Sequence, residues 1–185
     1  QPIEEGVITV QRAKNNLTFP AKFFLIAAAN PCPCGFYQDP ERECTCASSQ
    51  IASYRRKLSG PLMDRFDIFS WVPAVKYEDL ISSEQNQVNE EIKIRIAQAR
   101  NIQRERLKEE KLLTNAEMKI PQIKNYCQVD SNSQNILKKF VDSGKLSARG
   151  YHRTLKVART IADLEQRSQI SFSDVSEAIA YRMRE

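Results

Sequence analysis

The first part of the chain carries two kinds of apolar pattern, and both are typical of β-strands. Residues 6–18 alternate apolar and polar positions around a turn-forming Lys-Asn-Asn at residues 14–16, which predicts a β-hairpin. Residues 23–29 are an unbroken apolar run that ends at Asn30, and residues 66–72 are rich in β-branched and aromatic side chains. These two runs are typical of strands buried on both faces of a parallel sheet.

The remainder of the chain has helical periodicity. Apolar residues recur every three or four positions along a long charged segment, which predicts an amphipathic helix over residues 84–112 with a stripe of Val88, Ile92, Ile96, Ala99 and Ile102. Capping residues and apolar spacing predict further helices at residues 48–57, from 120 onward, and at 131–141, 148–164 and 173–183. The shift from strand to helix patterns divides the chain into residues 1–75, a linking helix at 76–119 and a helical bundle at 120–185.

Composition restricts the class of protein. With 185 residues, 41% of them apolar, the chain is large enough to bury a core. It has neither an apolar run of the roughly 18 to 20 residues that span a bilayer nor an export signal, so we expect a cytoplasmic protein. The chain begins with Gln1 rather than Met, and we therefore expect a piece of a longer protein. The net charge of +5, from 28 basic and 23 acidic residues, permits binding to nucleic acid but is only a weak indication of it.

Four of the five cysteines lie in the segment NPCPCGFYQDPERECTC, at Cys32, Cys34, Cys44 and Cys46. Two C-x-C pairs can supply four thiolates to a tetrahedral zinc ion, although C-x-x-C is the commoner spacing. Disulfides, an iron–sulfur cluster and simple reduced thiols are the alternatives. Disulfides fit less well because residues two apart rarely reach bridging geometry, and iron–sulfur proteins use other spacings. The isolated Cys127 is expected in the core.

Two further segments combine charge with regular spacing. The run GPLMDRFD at residues 60–67 is consistent with a surface ion-pair corner when it is considered alone. On the predicted helix at 148–164, basic residues at spacings of three and four would line one side, which by itself indicates a solvated basic face. These residues are Arg149, Arg153, Lys156 and Arg159.

Taken together and in this order, the motifs NPCPCG, CTC, GPLMDRFD, LSARGYHRTLKVARTIADL and EAIAYR resemble the C-terminal half of the magnesium-chelatase-like AAA+ ATPases, in particular their ComM (YifB) branch. The resemblance covers essentially the whole chain. It implies an α/β fold, in which the C-terminal part of an AAA+ core, with a hairpin and parallel strands, is followed by an all-α lid. The hairpin would be the pre-sensor hairpin that projects into the pore of the ring.

The resemblance also implies roles for three residues. Asn30 would be the sensor-1 residue that orients the attacking water, and Arg65 the arginine finger that reaches the ATP of a neighbouring subunit. Arg149 would be the sensor-2 residue that contacts phosphate from the lid. ATP and Mg²⁺ are the cofactors expected in the full-length protein, and the partners are the neighbouring subunits of a homo-oligomeric ring.

The phosphate-binding signature of such ATPases, G-x-x-x-x-G-K-[ST], does not occur in this sequence, nor does a strand that ends in paired acidic residues before the hairpin. We therefore expect this chain alone to hydrolyse no ATP and to be a monomer or weak dimer. Relatives in the ComM branch resemble hexameric ring helicases that drive branch migration of DNA, whereas others insert magnesium into porphyrins. A non-enzymatic zinc-bearing DNA-binding module and a purely structural domain are the alternatives.

Overall fold

A computed structural model of the chain describes residues 5–12, 15–57, 63–73, 75, 77 and 85–182. The chain divides into two compact units, residues 1–66 and residues 67–185. The predicted turn residue Lys14, the first three residues of the GPLMDRFD motif and residue 76, where the linking helix was predicted to begin, lie outside the described residues.

The first unit contains the predicted β-hairpin, although Asn15 and Asn16, which were predicted in its turn, belong to the second strand. Strand β1 (Val7–Arg12) pairs antiparallel with β2 (Asn15–Pro20), and Thr9 faces Thr18 across the ladder with their hydroxyls 3.2 Å apart. Because side chains alternate along a strand, one face of the hairpin is apolar and the other largely polar. The apolar face is exposed and consists of Ile8, Val10, Leu17 and Phe19.

The two predicted strands of a parallel sheet are not formed, and these predictions were wrong for the described residues. Residues 23–29 are without regular secondary structure, and Phe24 and Ile26 are 87% and 80% exposed. Residues 66–72 are likewise irregular. A buried strand needs neighbouring strands to satisfy its backbone and cover both of its faces. The two-stranded hairpin is the only sheet among the described residues, so nothing there can do so.

The helices agree closely with the sequence pattern. They are α1 (Ser48–Lys57), α2 (Gln85–Arg106), α3 (Ile120–Tyr126), α4 (Ser131–Asp142), α5 (Ala148–Leu164) and α6 (Phe172–Ala180). Short 3₁₀ turns lie at Met63–Arg65 and Asn115–Glu117. The long helix ends six residues before its predicted end at residue 112. None of the described helices has the length and hydropathy that crossing a bilayer requires.

The core of the second unit surrounds α5, which packs against α2, α3, α4 and α6. Three of the helices begin at capped residues: Asp130, Ser147 and Ser171 each accept a hydrogen bond from a backbone N–H in the first turn of α4, α5 and α6. These caps fix where each helix starts. The buried apolar residues of the unit include Leu107, Met118, Leu137, Leu155, Ala158, Ala162, Val175 and Ala178.

Candidate metal centre

The four predicted ligand cysteines come together in the first unit, where residues 32–46 form a compact loop that we call the cysteine knuckle. Their sulfur atoms all lie within 4.8 Å of one another. The Sγ of Cys32 is 3.3 Å from that of Cys34 and 3.7 Å from that of Cys44, and Cys34 and Cys44 are 3.6 Å apart. Sulfurs 12 residues apart in sequence are therefore neighbours in space.

Backbone geometry explains how such a short spacing brings the sulfurs together. Gly35 adopts a left-handed φ of 89°, which a side chain would disfavour, and its N–H donates to the carbonyl of Cys32 at 3.1 Å. One sulfur of each C-x-C pair accepts a hydrogen bond from the backbone N–H two residues later: Cys34, the second of its pair, from Phe36, and Cys44, the first of its pair, from Cys46. These bonds turn each pair inward so that its sulfurs face one centre.

The sulfurs differ in acidity because of these hydrogen bonds. The backbone N–H of Phe36, together with other donors, lowers the pKa of the Cys34 thiol to about 5. For Cys44, the N–H of Cys46 acts in the same direction, but partial desolvation and the neighbouring sulfurs of Cys34 and Cys32 outweigh it and raise the pKa to about 12. Four thiolates at these separations repel one another, so full deprotonation requires a cation among them.

The arrangement fits a tetrahedral metal better than the alternatives. Four sulfurs at about 2.3 Å from a zinc ion would lie about 3.8 Å apart, which falls within the range observed here, from 3.3 Å between Cys32 and Cys34 to at most 4.8 Å. A disulfide needs about 2.05 Å between sulfurs, and the cysteines are free thiols. The donor set also suits zinc, because thiolates prefer softer ions over Mg²⁺ or Ca²⁺.

The knuckle is also the most protected part of its unit. Among the described residues of the first unit, Cys32 is the only buried one, with 0% of its surface exposed. Around it, the carboxylate of Asp39 accepts from the N–H groups of Glu41 and Arg42 at 2.9 Å. A unit with so little buried apolar surface needs another source of stability, and small domains commonly use a metal for this purpose.

Two cation–π contacts connect the knuckle to its surroundings. The guanidinium of Arg42 lies 5.2 Å from the ring centre of Phe36, within the knuckle. The guanidinium of Arg55, in the last turn of α1, lies 4.7 Å from the ring centre of Tyr37. Such contacts contribute roughly 0.5–1 kcal/mol each at exposed sites. The second contact ties the knuckle to α1, which begins two residues after the last cysteine.

The other three predicted site residues lie in three different local structures. Asn30 is exposed and lies immediately before the knuckle, next to Gly35: a Cβ added to that glycine would be 3.9 Å from the Asn30 Nδ2. Arg65 ends a 3₁₀ turn and is half-buried, in the same unit. Arg149 belongs to the second unit, where it is exposed in the first turn of α5. Their roles in catalysis stay predictions.

The expected solvated basic face on α5 is wrong for three of its four residues. Arg153 is mostly buried and pairs with Asp67 at 2.5 Å. The ammonium of Lys156 donates to the carbonyl of Ala116 at 2.8 Å, and burial lowers its pKa. Arg159 is 2% exposed. Successive residues of a helix are rotated by about 100°, so Arg159, ten residues after Arg149, lies about 80° around the helix from it and faces the core. Counting spacings of three and four residues did not take this accumulated rotation into account.

Sequence reasoning also missed a buried polar cluster that joins α2 to α5. The Asp163 carboxylate has no exposed surface and accepts from both terminal nitrogens of Arg106, from Arg159 Nε at 3.1 Å and from Asn115 Nδ2 at 2.8 Å. Arg159 also donates to the carbonyls of Arg167 and Ser168. The signal in the sequence was the Arg-x-x-x-Asp spacing on one helix, which is compatible with an ordinary surface pair as well.

Comparison with known proteins identifies the family. The chain matches the family described as "Magnesium chelatase, subunit ChlI C-terminal" over residues 86–182, and that described as "Magnesium chelatase, subunit ChlI" over residues 1–80. It belongs to this magnesium-chelatase-like family.

Individual relatives support the same family assignment. "Competence protein ComM" of Haemophilus influenzae is 36% identical over 98% of this chain and 35% of its own length, and "Uncharacterized protein YifB" of Escherichia coli has the same identity and coverage. "Uncharacterized protein Rv2897c" of Mycobacterium tuberculosis is 34% identical, again over 98% of this chain and 35% of its own length. The chain thus spans about a third of the length of the curated relatives it matches, and its resemblance to the ComM and YifB branch is confirmed.

Proposed function

We propose that this chain supplies the sensor-1 residue, the arginine finger and the helical lid of an AAA+ ATPase that acts as a ring. The observation that carries the proposal is the similarity to ComM over 98% of the chain, combined with the presence of Asn30, Arg65 and Arg149 where the family motifs require them. ATP and Mg²⁺ would be bound by the complete gene product, with neighbouring subunits of the same protein as partners.

The chemistry of phosphoryl transfer explains why these residue types are needed. The transition state spreads negative charge over the oxygens of the γ-phosphate, and a guanidinium fixed beside it stabilises that charge. Arg65 on a short 3₁₀ turn can be presented to a neighbouring subunit. The carboxamide of Asn30 can orient a water molecule, and Arg149 at the start of α5 can contact phosphate from the lid.

We further propose that the ring acts on DNA, as a motor for branch migration. This part rests on the resemblance to the ComM branch and on the cysteine knuckle, which we do not expect in the chelatases that insert magnesium into porphyrins. A non-enzymatic module that binds DNA through the basic side of α5 is less well supported. Arg153 and Lys156 already have protein partners, and Arg159 is buried.

The finger assignment is tested with Arg65→Ala in the complete gene product. Loss of an arginine finger should lower the ATP turnover rate by about a thousandfold or more, while nucleotide affinity and circular dichroism stay unchanged. Arg104→Ala is the matched control, because Arg104 is exposed on α2 and belongs to none of the motifs. Turnover by Arg65→Ala at the rate of this control would refute the assignment.

We also propose that Cys32, Cys34, Cys44 and Cys46 bind one structural zinc ion. The knuckle would contribute the folding energy of a closed tetrahedral site and no catalytic chemistry. Elemental analysis of the 185-residue chain should find about one zinc per chain, lost in Cys34→Ser and retained in Cys127→Ser. A metal-free chain as resistant to unfolding as the zinc-loaded chain would refute the proposal.

A further inference from the structure

We infer that the cysteine knuckle is a positioning device for Asn30: metal binding holds the Asn30 carboxamide in its working orientation, and loss of the metal releases it. The inference rests on the proposed sensor-1 role of Asn30. It adds a function to the knuckle, whose metal would then control the rate of ATP hydrolysis rather than stability alone.

Asn30 and the knuckle lie close together in space. Asn30 lies two residues before Cys32, and the chain then turns back so that Gly35 faces the Asn30 side chain. A Cβ added at Gly35 would lie 3.9 Å from Asn30 Nδ2 and 4.0 Å from its Cγ, which is ordinary van der Waals distance. The backbone at Gly35, directly after the first C-x-C pair, therefore lies near one side of the carboxamide with room for little more than a methyl group between them. Asn30 is otherwise exposed, so its other side is accessible to a nucleotide or water.

The position of the Gly35 backbone depends on the sulfur cluster. Gly35 directly follows Cys34, and its left-handed φ of 89° belongs to the turn that directs the Cys34 sulfur toward the other three. Among the described residues of this unit only Cys32 is buried, so no apolar core would hold the turn in place once the metal is removed. Ordering each loop residue costs roughly 1–2 kcal/mol, which the metal–sulfur bonds would supply.

The knuckle also contacts the neighbouring helix α1. Tyr37 contacts Arg55 of α1 through the cation–π interaction, so a metal-bound knuckle would link α1 to the backbone beside Asn30. Catalysis is sensitive to such placement, because a shift of about 1 Å in a catalytic group can cost on the order of a hundredfold in rate. A loosened carboxamide should therefore lower kcat and leave nucleotide binding by the remaining phosphate contacts largely intact.

The structural half of the inference is tested by NMR on the 185-residue chain. The side-chain amide signals of Asn30, assigned by their loss in Asn30→Ala, are followed while zinc is removed by a chelator and then restored. We expect these signals to move toward the shifts of a free asparagine side chain and to return with zinc. The signals of Asn101, exposed on α2, are the internal control and should not move. Unchanged Asn30 signals through the cycle would overturn the inference.

The functional half uses the complete gene product. Gly35→Ala strains the left-handed turn, and we expect it to lower kcat at least about tenfold with KM nearly unchanged. Chelation of the wild type should act likewise and be reversed by zinc, which covers the case in which the variant does not fold. Asn30→Ala should lower kcat as well, and Gly35→Ala should then add little, because both changes act on one group.

The outcomes separate this inference from the proposed function. If Asn30→Ala lowers kcat but Gly35→Ala and chelated wild type turn over normally, the positioning role of the knuckle is wrong and the sensor-1 role stands. If Asn30→Ala itself keeps the wild-type rate, the sensor-1 role is wrong, and the inference falls with it.

Discussion

The buried carboxylate of Asp163 offers the sharpest test of how the second unit is held together. It accepts hydrogen bonds from Arg106, Arg159 and Asn115, and the side chains of Asp163 and Arg159 are 0% and 2% exposed. Burial lowers the pKa of Arg159, whereas the charge of Asp163 raises it, so the carboxylate is what keeps this guanidinium compatible with the interior. We consider the substitution Asp163→Asn, which keeps the shape and removes the charge.

The magnitude follows from what the substitution leaves behind. The guanidinium of Arg159 would remain buried and that of Arg106 mostly buried without a counter-charge, and the new amide N–H group would point at donors. Removing one member of a buried ion pair costs about 3–5 kcal/mol. For a unit of about 120 residues, with roughly 4 °C of Tm for each kcal/mol, the expected fall in Tm is about 12–20 °C.

The free energy of unfolding is measured by urea unfolding of the 185-residue chain and the Tm by heating it. Both are followed by circular dichroism at 222 nm, since the signal comes mainly from the helices. The matched control is Glu165→Gln, which removes the exposed pair of Glu165 with Arg95 and should cost at most about 1 kcal/mol. If Asp163→Asn were no more destabilising than this control, the loss of the carboxylate would not leave the charges of Arg106 and Arg159 uncompensated in the interior, and the reasoning would be refuted.

Three smaller predictions concern pH and surface charge. Asp130 caps α4, and hydrogen bonding from Ser133, whose N–H donates to the carboxylate at 2.8 Å, lowers the pKa of Asp130. Its contribution to stability is therefore present above the pKa of the unfolded chain, about 3.9, and lost as the pH falls through the lower folded value. Asp130→Asn should abolish that acid dependence in pH-resolved unfolding, and an identical pH profile would contradict the assignment. Burial raises the pKa of Cys127 to about 11, so its alkylation rate, measured by mass spectrometry, should still be rising at pH 10 and not level off near 9. Asp67→Asn removes the partner of Arg153 and should cost about 1 kcal/mol or less, because the carboxylate is half-exposed; a loss above about 3 kcal/mol would mean that the pair is effectively buried.

Local signals in the sequence predicted the helices and the hairpin well. Helix α5 begins at Ala148 because Ser147 caps it, and it ends at Leu164, as the spacing indicated. The hairpin is confirmed, but Asn15 and Asn16 of its predicted turn belong to β2, where they pair with Arg12 and Gln11. The four cysteines were predicted as one cluster from spacing alone, and the cluster is confirmed as a geometry that could hold a metal.

The features that sequence reasoning missed depend on contacts between distant residues. An apolar run such as residues 23–29 predicts a buried strand only if neighbours exist to bury it, and no local pattern reports on neighbours. The partners of Asp163 are 48 and 57 positions away at Asn115 and Arg106. Likewise, Arg153 was read as a surface charge because its partner Asp67 lies 86 positions earlier in the chain.

The measurement that tests the central claim most directly is complementation between two inactive variants of the complete gene product. Asn30 is proposed to act on the nucleotide of its own subunit, and Arg65 on that of its neighbour, so Arg65→Ala and Asn30→Ala should each abolish turnover alone. Mixed in equal amounts and allowed to exchange subunits, they should form intact sites at about a quarter of the interfaces and recover about a quarter of the wild-type ATP turnover. A mixture as inactive as its two components would contradict the claim that Arg65 works across a subunit interface.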